Sequence, residues 1–295
     1  SKIALWNNYP LPVALLGDFG KAKTLIARSF PYLDGYKRDK AIYYENLGWI
    51  HLLAGEYDQA LDALKHGLEI SMEIAPKSDL VSQIKRRMAD AYFGLKDYTN
   101  ARKLSAEAMK VSEHLNERVE IAACHRVDAQ LEVVAGNDDT ARSLFKRAIN
   151  LFAMIESNYD LAVTRHIAAT SGLYHNGERQ ALLYLARVYF VSEEVTHYVT
   201  KIDSALHSTK MPKAVKHNNS QAFIAESPRM KKIVEMADMI APSQMSILLT
   251  GDTGTGKDHL AKYIHDVSGM TGEFVSINIS AIPNDMIEAE LFGHR

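Results

Sequence analysis

The chain has 295 residues, 47% of them apolar and 24% charged, with a formal net charge of −2 and one cysteine. This length suggests about two domains, and the near-neutral balance gives no electrostatic case for nucleic acid or an anionic membrane as a partner of the whole chain. The single Cys124 excludes an internal disulfide framework and a cysteine-rich metal site, there is neither an apolar run of spanning length nor a signal-peptide pattern, and a cytoplasmic protein is expected, with Ser1-Lys2-Ile3 reading as the start of a piece of something longer.

Residues 1 to about 206 carry helical periodicity and little strand signal. Turn markers recur along them: Gly17-Asp18-Phe19-Gly20-Lys21-Ala22, Gly55-Glu56-Tyr57-Asp58-Gln59-Ala60, Lys96-Asp97-Tyr98-Thr99-Asn100-Ala101, Gly136-Asn137-Asp138-Asp139-Thr140-Ala141 and the shorter Gly177-Glu178-Arg179-Gln180-Ala181. Their alanines stand 38 to 41 residues apart. A small residue precedes the marker alanine at Gly48, Ala89 and Ala129, and another follows it at Gly67, Ala108 and Ala148. Small residues at fixed offsets let two antiparallel helices approach closely. Leu64 and Phe145 fill the space between layers, and Cys124, in an apolar run, reads as one more small core residue. With Leu47-Gly48 and Gly55-x-Tyr57-x-x-Ala60, the pattern resembles the tetratricopeptide repeat, whose usual period is about 34 residues. A period near 40 implies helices one to two turns longer per pair. The first marker follows Pro10 and Pro12, so its leading helix is short or belongs to a repeat beginning before residue 1. A helix is also expected from Ser192 to Leu206.

Such an array forms a groove lined by its leading helices. Tyr44, His51, Gln83, Arg87, His125, Asp128 and Arg165 are the inward-facing candidates, and a peptide, a protein segment or a small ligand is the expected occupant. The histidines show no metal-ligand spacing, so no metal residues are assigned.

From His207 to about residue 222 periodicity is lost. Lys210, Pro212, Lys213 and Lys216 in a polar stretch read as a linker. A helix is expected over Arg229 to Ile240, with Ser227 as N-cap and Pro228 in its first turn. Ser246 to Thr250 reads as a short buried strand. Next comes Gly251-Asp252-Thr253-Gly254-Thr255-Gly256-Lys257-Asp258, then a helix through about Val267. Strand, glycine loop and helix form the context of a phosphate-binding loop. The glycines let main-chain N–H groups approach phosphate oxygens, the helix start adds partial positive charge, and Lys257 would reach the terminal phosphates. Asp258 stands where a hydroxyl residue is usual. Phe274 to Ile279 alternates as a second parallel strand, and a helix follows Ile282.

With Ile224-Ala225-Glu226-Ser227-Pro228-Arg229-Met230 before this loop and Glu288-Ala289-Glu290-Leu291-Phe292-Gly293-His294 after it, residues 223–295 resemble the AAA+ domain of bacterial sigma-54-dependent transcription activators. That family carries Glu after the loop lysine, and Asp258 is its one-carbon-shorter counterpart. The expected architecture is thus mainly α: a tetratricopeptide-like α-α superhelix over 1–206, a linker over 207–222 and a partial α/β P-loop (AAA+) domain over 223–295. The resemblance implies that Gly251 through Asp258 bind ATP, with Asp258 helping to hold water around Mg²⁺, and that Phe223 and Ile224 lie near adenine. It also implies that the intact protein forms homo-oligomers and acts on sigma-54 RNA polymerase at promoter DNA. The polymerase-engaging loop, the Walker B acids, sensors, arginine finger and DNA-binding domain of the family have no counterpart in these 295 residues, so no catalytic residue is assigned and this chain is expected to be inactive as an ATPase by itself. The competing reading is a helical-repeat binding scaffold whose loop is structural or vestigial.

Overall fold

The computed structural model describes residues 9–207, 227–241, 247–252 and 254–277. The chain divides into two compact units, Ser1–Met211 and Pro212–Arg295. The first is entirely helical among its described residues. Its helices are α1 (Pro10–Leu15), α2 (Phe19–Ala27), α3 (Lys37–Ala54), α4 (Tyr57–Ile74), α5 (Asp79–Gly94), α6 (Tyr98–Leu115), α7 (Arg118–Ala135), α8 (Asp138–Met154), α9 (Asn158–Thr170), α10 (Asn176–Ser192) and α11 (Thr196–His207). A 3-10 turn, Phe30–Tyr32, joins α2 to α3.

The turn markers become helix boundaries. Gly55 and Gly136 end α3 and α7 in the left-handed conformation, both with φ +76°, which glycine adopts without a Cβ penalty. Lys96 fills the same role after α5 at φ +63°. In two markers the acid then caps the next helix: Asp18 accepts from the Lys21 N–H and Asp97 from the Asn100 N–H. The marker alanines Ala22, Ala60, Ala101, Ala141 and Ala181 are all fully buried. So are their small companions Ala89, Ala108, Ala129 and Ala148. A methyl group on Gly48 would stand 2.5 Å from Leu64 Cγ, and one on Gly67 would stand 3.2 Å from Tyr44 Cβ. These contacts pair the end of α3 with the start of α4, and the reverse, so the hairpin is antiparallel.

Leu64, Phe145 and Phe152 are fully buried between layers, each contributing roughly 1.5–3 kcal/mol of hydrophobic stabilisation. Cys124 is buried as expected, and burial pushes its thiol up, away from reactivity. α1, with six residues, is the short leading helix. The last helix starts later than expected. Ser192 ends α10, Glu194 turns at φ +59°, and α11 begins at Thr196.

The first unit also returns on itself. His197 of α11 lies against the α1–α2 turn: a methyl group on Gly17 would stand 2.8 Å from its Nδ1. Its ring meets Phe19 edge-on at 5.8 Å.

In the second unit Ser227 accepts from the Met230 N–H and opens α12 (Pro228–Ile240), with Pro228 in the first turn. α13 spans Lys257–Val267. The two expected strands are the correction. No strand is assigned among the described residues of this unit, and both segments are open to solvent, with Leu248 86% and Val275 72% exposed. A strand is defined by the ladder it makes with a neighbour. Ile247 to Thr250 and Phe274 to Ile277 have no such ladder among the described residues. Ser246, Asn278, Ile279 and the helix after Ile282 lie outside them.

Candidate functional site

The glycine loop is built by its backbone. Gly254 and Gly256 have φ +82° and +84°, and Gly256 is the N-cap of α13. Space does not dictate glycine there, because a methyl group at either would meet nothing within 4 Å; the left-handed backbone does. Thr255 ties the turn, its Oγ1 donating to the Asp252 carbonyl at 2.8 Å. Lys257 folds back over the loop, its ammonium donating to the carbonyls of Gly251 at 2.9 Å and Asp252 at 2.8 Å. The first intrahelical bond of α13 runs from the Leu260 N–H to Gly256 O. The amides of the first turn therefore point out of the helix unpaired by it.

A flexible ammonium and a set of helix-start amides around one exposed loop fit an anion with several oxygens. Asp258, in the first helical turn, is acceptor-only when ionised and suits a hydrated cation better than it suits phosphate. Gly251, Asp252, Gly254, Thr255, Gly256, Lys257 and Asp258 thus come together in one turn. Thr253, Phe223 and Ile224 lie outside the described residues. Behind the loop, the Tyr263 hydroxyl of α13 donates to Asp238 of α12 at 2.6 Å. Burial, then that bond, pushes the phenol up to about 12. This brace was not anticipated from sequence. Its only trace there is a tyrosine and an acid on the solvent edges of two amphipathic helices.

The polar residues of the helical array fall into two sets. Glu45 of α3, Arg86, Arg87 and Asp90 of α5, Glu120 and Arg126 of α7, and Asp160 of α9 form a column of ion pairs around three buried arginines, with Asp90 and Asp160 half-buried. Arg87 pairs with Glu45 at 2.8 Å and stacks over Trp49 at 3.9 Å. Arg86 pairs with Glu120 at 2.8 Å and Asp90 at 3.0 Å, and Arg126 with Asp160 at 3.1 Å. Burial alone would push Glu120 up, but Arg86 beside it wins and holds the carboxyl down. Glu45 shows the opposite balance, with burial outweighing Arg87 and leaving it raised. Arg87, expected to face an open groove, is therefore engaged inside the protein. Tyr44, His51, His125 and Asp128 lie elsewhere, on the side of the leading helices turned toward the trailing ones, and Arg165 is half-buried. There His51 pairs with Glu56, Asp128 accepts from Ser105 at 2.7 Å, and burial pushes His125 down. Gln83 is half-buried. No group of three metal-ligating side chains occurs among the described residues.

A repeat array of helical hairpins and, in a separate unit, a glycine loop opening a helix define the class to which the chain is similar. Residues 223–295 match the Sigma-54 interaction domain. The chain is 40% identical over 78 residues to the transcriptional regulatory protein FlbD of Caulobacter vibrioides, covering 26% of this chain and 17% of that protein. It is 34% identical over 123 residues to the DNA-binding transcriptional regulator NtrC of Azospirillum brasilense, covering 40% and 25%. To the sigma54-dependent transcriptional activator SfnR of Pseudomonas putida it is 43% identical over 74 residues, covering 25% and 20%. The matched stretches thus span a sixth to a quarter of these curated relatives. Among solved structures, BtubC (BKLC) from P. vanneervenii overlaps 72% of this chain and 82% of its own at 19% identity and a TM-score of 0.43. The carboxy-terminal quarter therefore resembles sigma-54-dependent activators, as its motifs imply.

Proposed function

We propose that this chain is the sensing and nucleotide-binding part of a cytoplasmic sigma-54-dependent transcriptional regulator. Residues 1–206 are the sensor, 207–222 the joint, and 223–295 the start of a P-loop ATPase domain of the AAA+ kind. In this reading Gly251 through Lys257 hold the phosphates of ATP, and Asp258 orders water around Mg²⁺. The observation that carries it is the loop itself: left-handed Gly254 and Gly256 open α13 directly at Lys257, whose ammonium lies across the loop mouth. An incoming phosphate offers that ammonium charged oxygens in place of two carbonyls, a stronger partner. Action on sigma-54 polymerase at promoter DNA, and homo-oligomers, belong to the whole protein by the same reading. None of the described helices is long and apolar enough to cross a membrane.

A helical scaffold with a vestigial loop is the second reading. It is favoured by the satisfaction of Lys257 inside the loop and by the exposure of both extended segments. Calorimetric titration with Mg-ATP separates the two. The nucleotide reading expects saturable binding that Lys257→Ala weakens at least tenfold. Absence of saturation, or equal affinity in the variant, would overturn it.

A further inference from the structure

The unpaired amides at the start of α13 are rigidly part of that helix, so a tilt or rotation of α13 turns all of them together. Whatever fixes α13 therefore aims the glycine loop. The apolar seam between α12 and α13 is small. Among the described side chains, Leu260 is the buried one of α13, and Ala237 and Ala241 are those of α12 and its C-cap. Two alanines and a leucine offer little relief for one helix to key into the other. The extended segments over residues 247–250 and 274–277 make no ladder among the described residues. His265 meets the Phe274 ring at 5.5 Å, in the last turn of α13 and far from its start.

The directional tie is the bond from the Tyr263 hydroxyl to the Asp238 carboxylate, at 2.6 Å, a distance typical of a hydrogen bond to a charged acceptor. Asp238 follows the buried Ala237 in α12, and Tyr263 lies about one turn beyond the buried Leu260 in α13. With its pKa pushed up to about 12, by burial first and then by Asp238, the phenol stays a donor throughout the neutral range. Apolar contact has no preferred direction, whereas a hydrogen bond weakens steeply as its angle opens. The bond can therefore select one setting of α13 where the seam would accept several.

We propose that Tyr263 and Asp238 are positioning residues for the glycine loop, holding α13 on α12 so that the first-turn amides and Lys257 meet the phosphates of a nucleotide together. This rests on the nucleotide reading of the loop and adds what tunes its affinity. It also couples α12 to the ligand: a phosphate that orders α13 orders α12 through the bond, and that coupling is reciprocal.

The test combines calorimetric titration of the full chain with Mg-ATP and amide exchange over residues 228–240 and 257–267, with and without the nucleotide. Tyr263→Phe keeps the ring and removes the bond. Asp238→Ala removes the acceptor, and Asp238→Asn keeps an acceptor oxygen without the charge. In the parent, Mg-ATP slows exchange in both helices. In Tyr263→Phe and Asp238→Ala, affinity falls about fivefold, the worth of one hydrogen bond; bound nucleotide still slows α13 but no longer slows α12. Asp238→Asn restores most of the affinity and the α12 response. Thermal melts of each variant confirm that it folds. Parent affinity in the folded Tyr263→Phe protein, or an α12 response that survives in it, would overturn the positioning role and leave the nucleotide reading standing. Equal weakening by Asp238→Asn and Asp238→Ala would trace the effect to charge and overturn it likewise. No saturation by the parent would strike the nucleotide reading itself and this inference with it.

Discussion

His166 on α9 lies edge-on to Tyr198 of α11, with ring centroids 5.5 Å apart. Burial, then the positive charge of Lys201, pushes its pKa down to about 4. In the unfolded chain the same imidazole takes a proton near its ordinary value of about 6.5. The unfolded state therefore binds the proton first as the pH falls. The stability linked to His166 is fully present above about pH 6.5 and drains away between there and about pH 4, by no more than about 3 kcal/mol. His166→Phe keeps a ring against Tyr198 and removes the titration. Melting temperatures measured from pH 7 to pH 4 should decline less steeply in the variant than in the parent. His197, pushed down by burial and Lys201 with a main-chain bond to Leu16 offsetting part, titrates in the same direction, so the variant keeps some slope. Parallel curves for the two proteins would show that His166 does not contribute.

Between elements, the array rests on two kinds of contact, and only one was legible in the sequence. Helix boundaries and hairpin packing could be read because each depends on residues a fixed distance apart: a glycine after one helix, an acid before the next, and small residues where the backbones meet. Lys96 shows how far that reading carries, since it takes the glycine position without glycine and still ends α5. The glycine loop was legible for the same reason, being eight consecutive residues. The extended segments were not, because alternation announces a strand while only a neighbouring ladder makes one. The charge column was not legible either. It joins side chains from α3, α5, α7 and α9, and nothing local tells Arg87, which turns to Glu45, from Asp128, which turns to Ser105 of α6. Its energetics are testable at the Arg86–Glu120 pair, where both side chains are almost wholly buried. Removing Glu120 leaves the buried Arg86 with Asp90 as its remaining partner, at a cost approaching the roughly 3–5 kcal/mol of breaking a buried pair, whereas apolar replacement of both is often close to neutral. Urea unfolding should therefore show Glu120→Ala as the most damaging change, with Arg86→Met/Glu120→Leu recovering at least half of the loss. A double variant as unstable as the single one would mean that the pair is worth more than its burial costs.

At the scale of the whole first unit, the contact between its ends alters what a repeat array normally does. Hairpins in a solenoid touch only their neighbours, so the terminal ones fray first. Here the short α1 and α2 have little core of their own, yet Phe19 is held by His197 from the last helix, and the methyl-free Gly17 lets that imidazole in. Behind it Tyr198 stacks on Phe190 at 4.3 Å and meets His166 edge-on at 5.5 Å, anchoring α11 on α10 and α9. The closure should hold the first hairpin by more than its neighbour contact alone. Aromatic pairs of this kind contribute about 0.5–1.5 kcal/mol beyond the area they bury. His197→Ala removes the ring and keeps the helix. Its expected signature is amide exchange roughly tenfold faster over residues 10–27, with α5 and α6 unchanged, because the lost contact spans the ends and not the middle of the array. Faster exchange spread evenly over all the hairpins would instead make His197 a general core residue. Unchanged exchange at α1 and α2 would mean that α3 alone secures them.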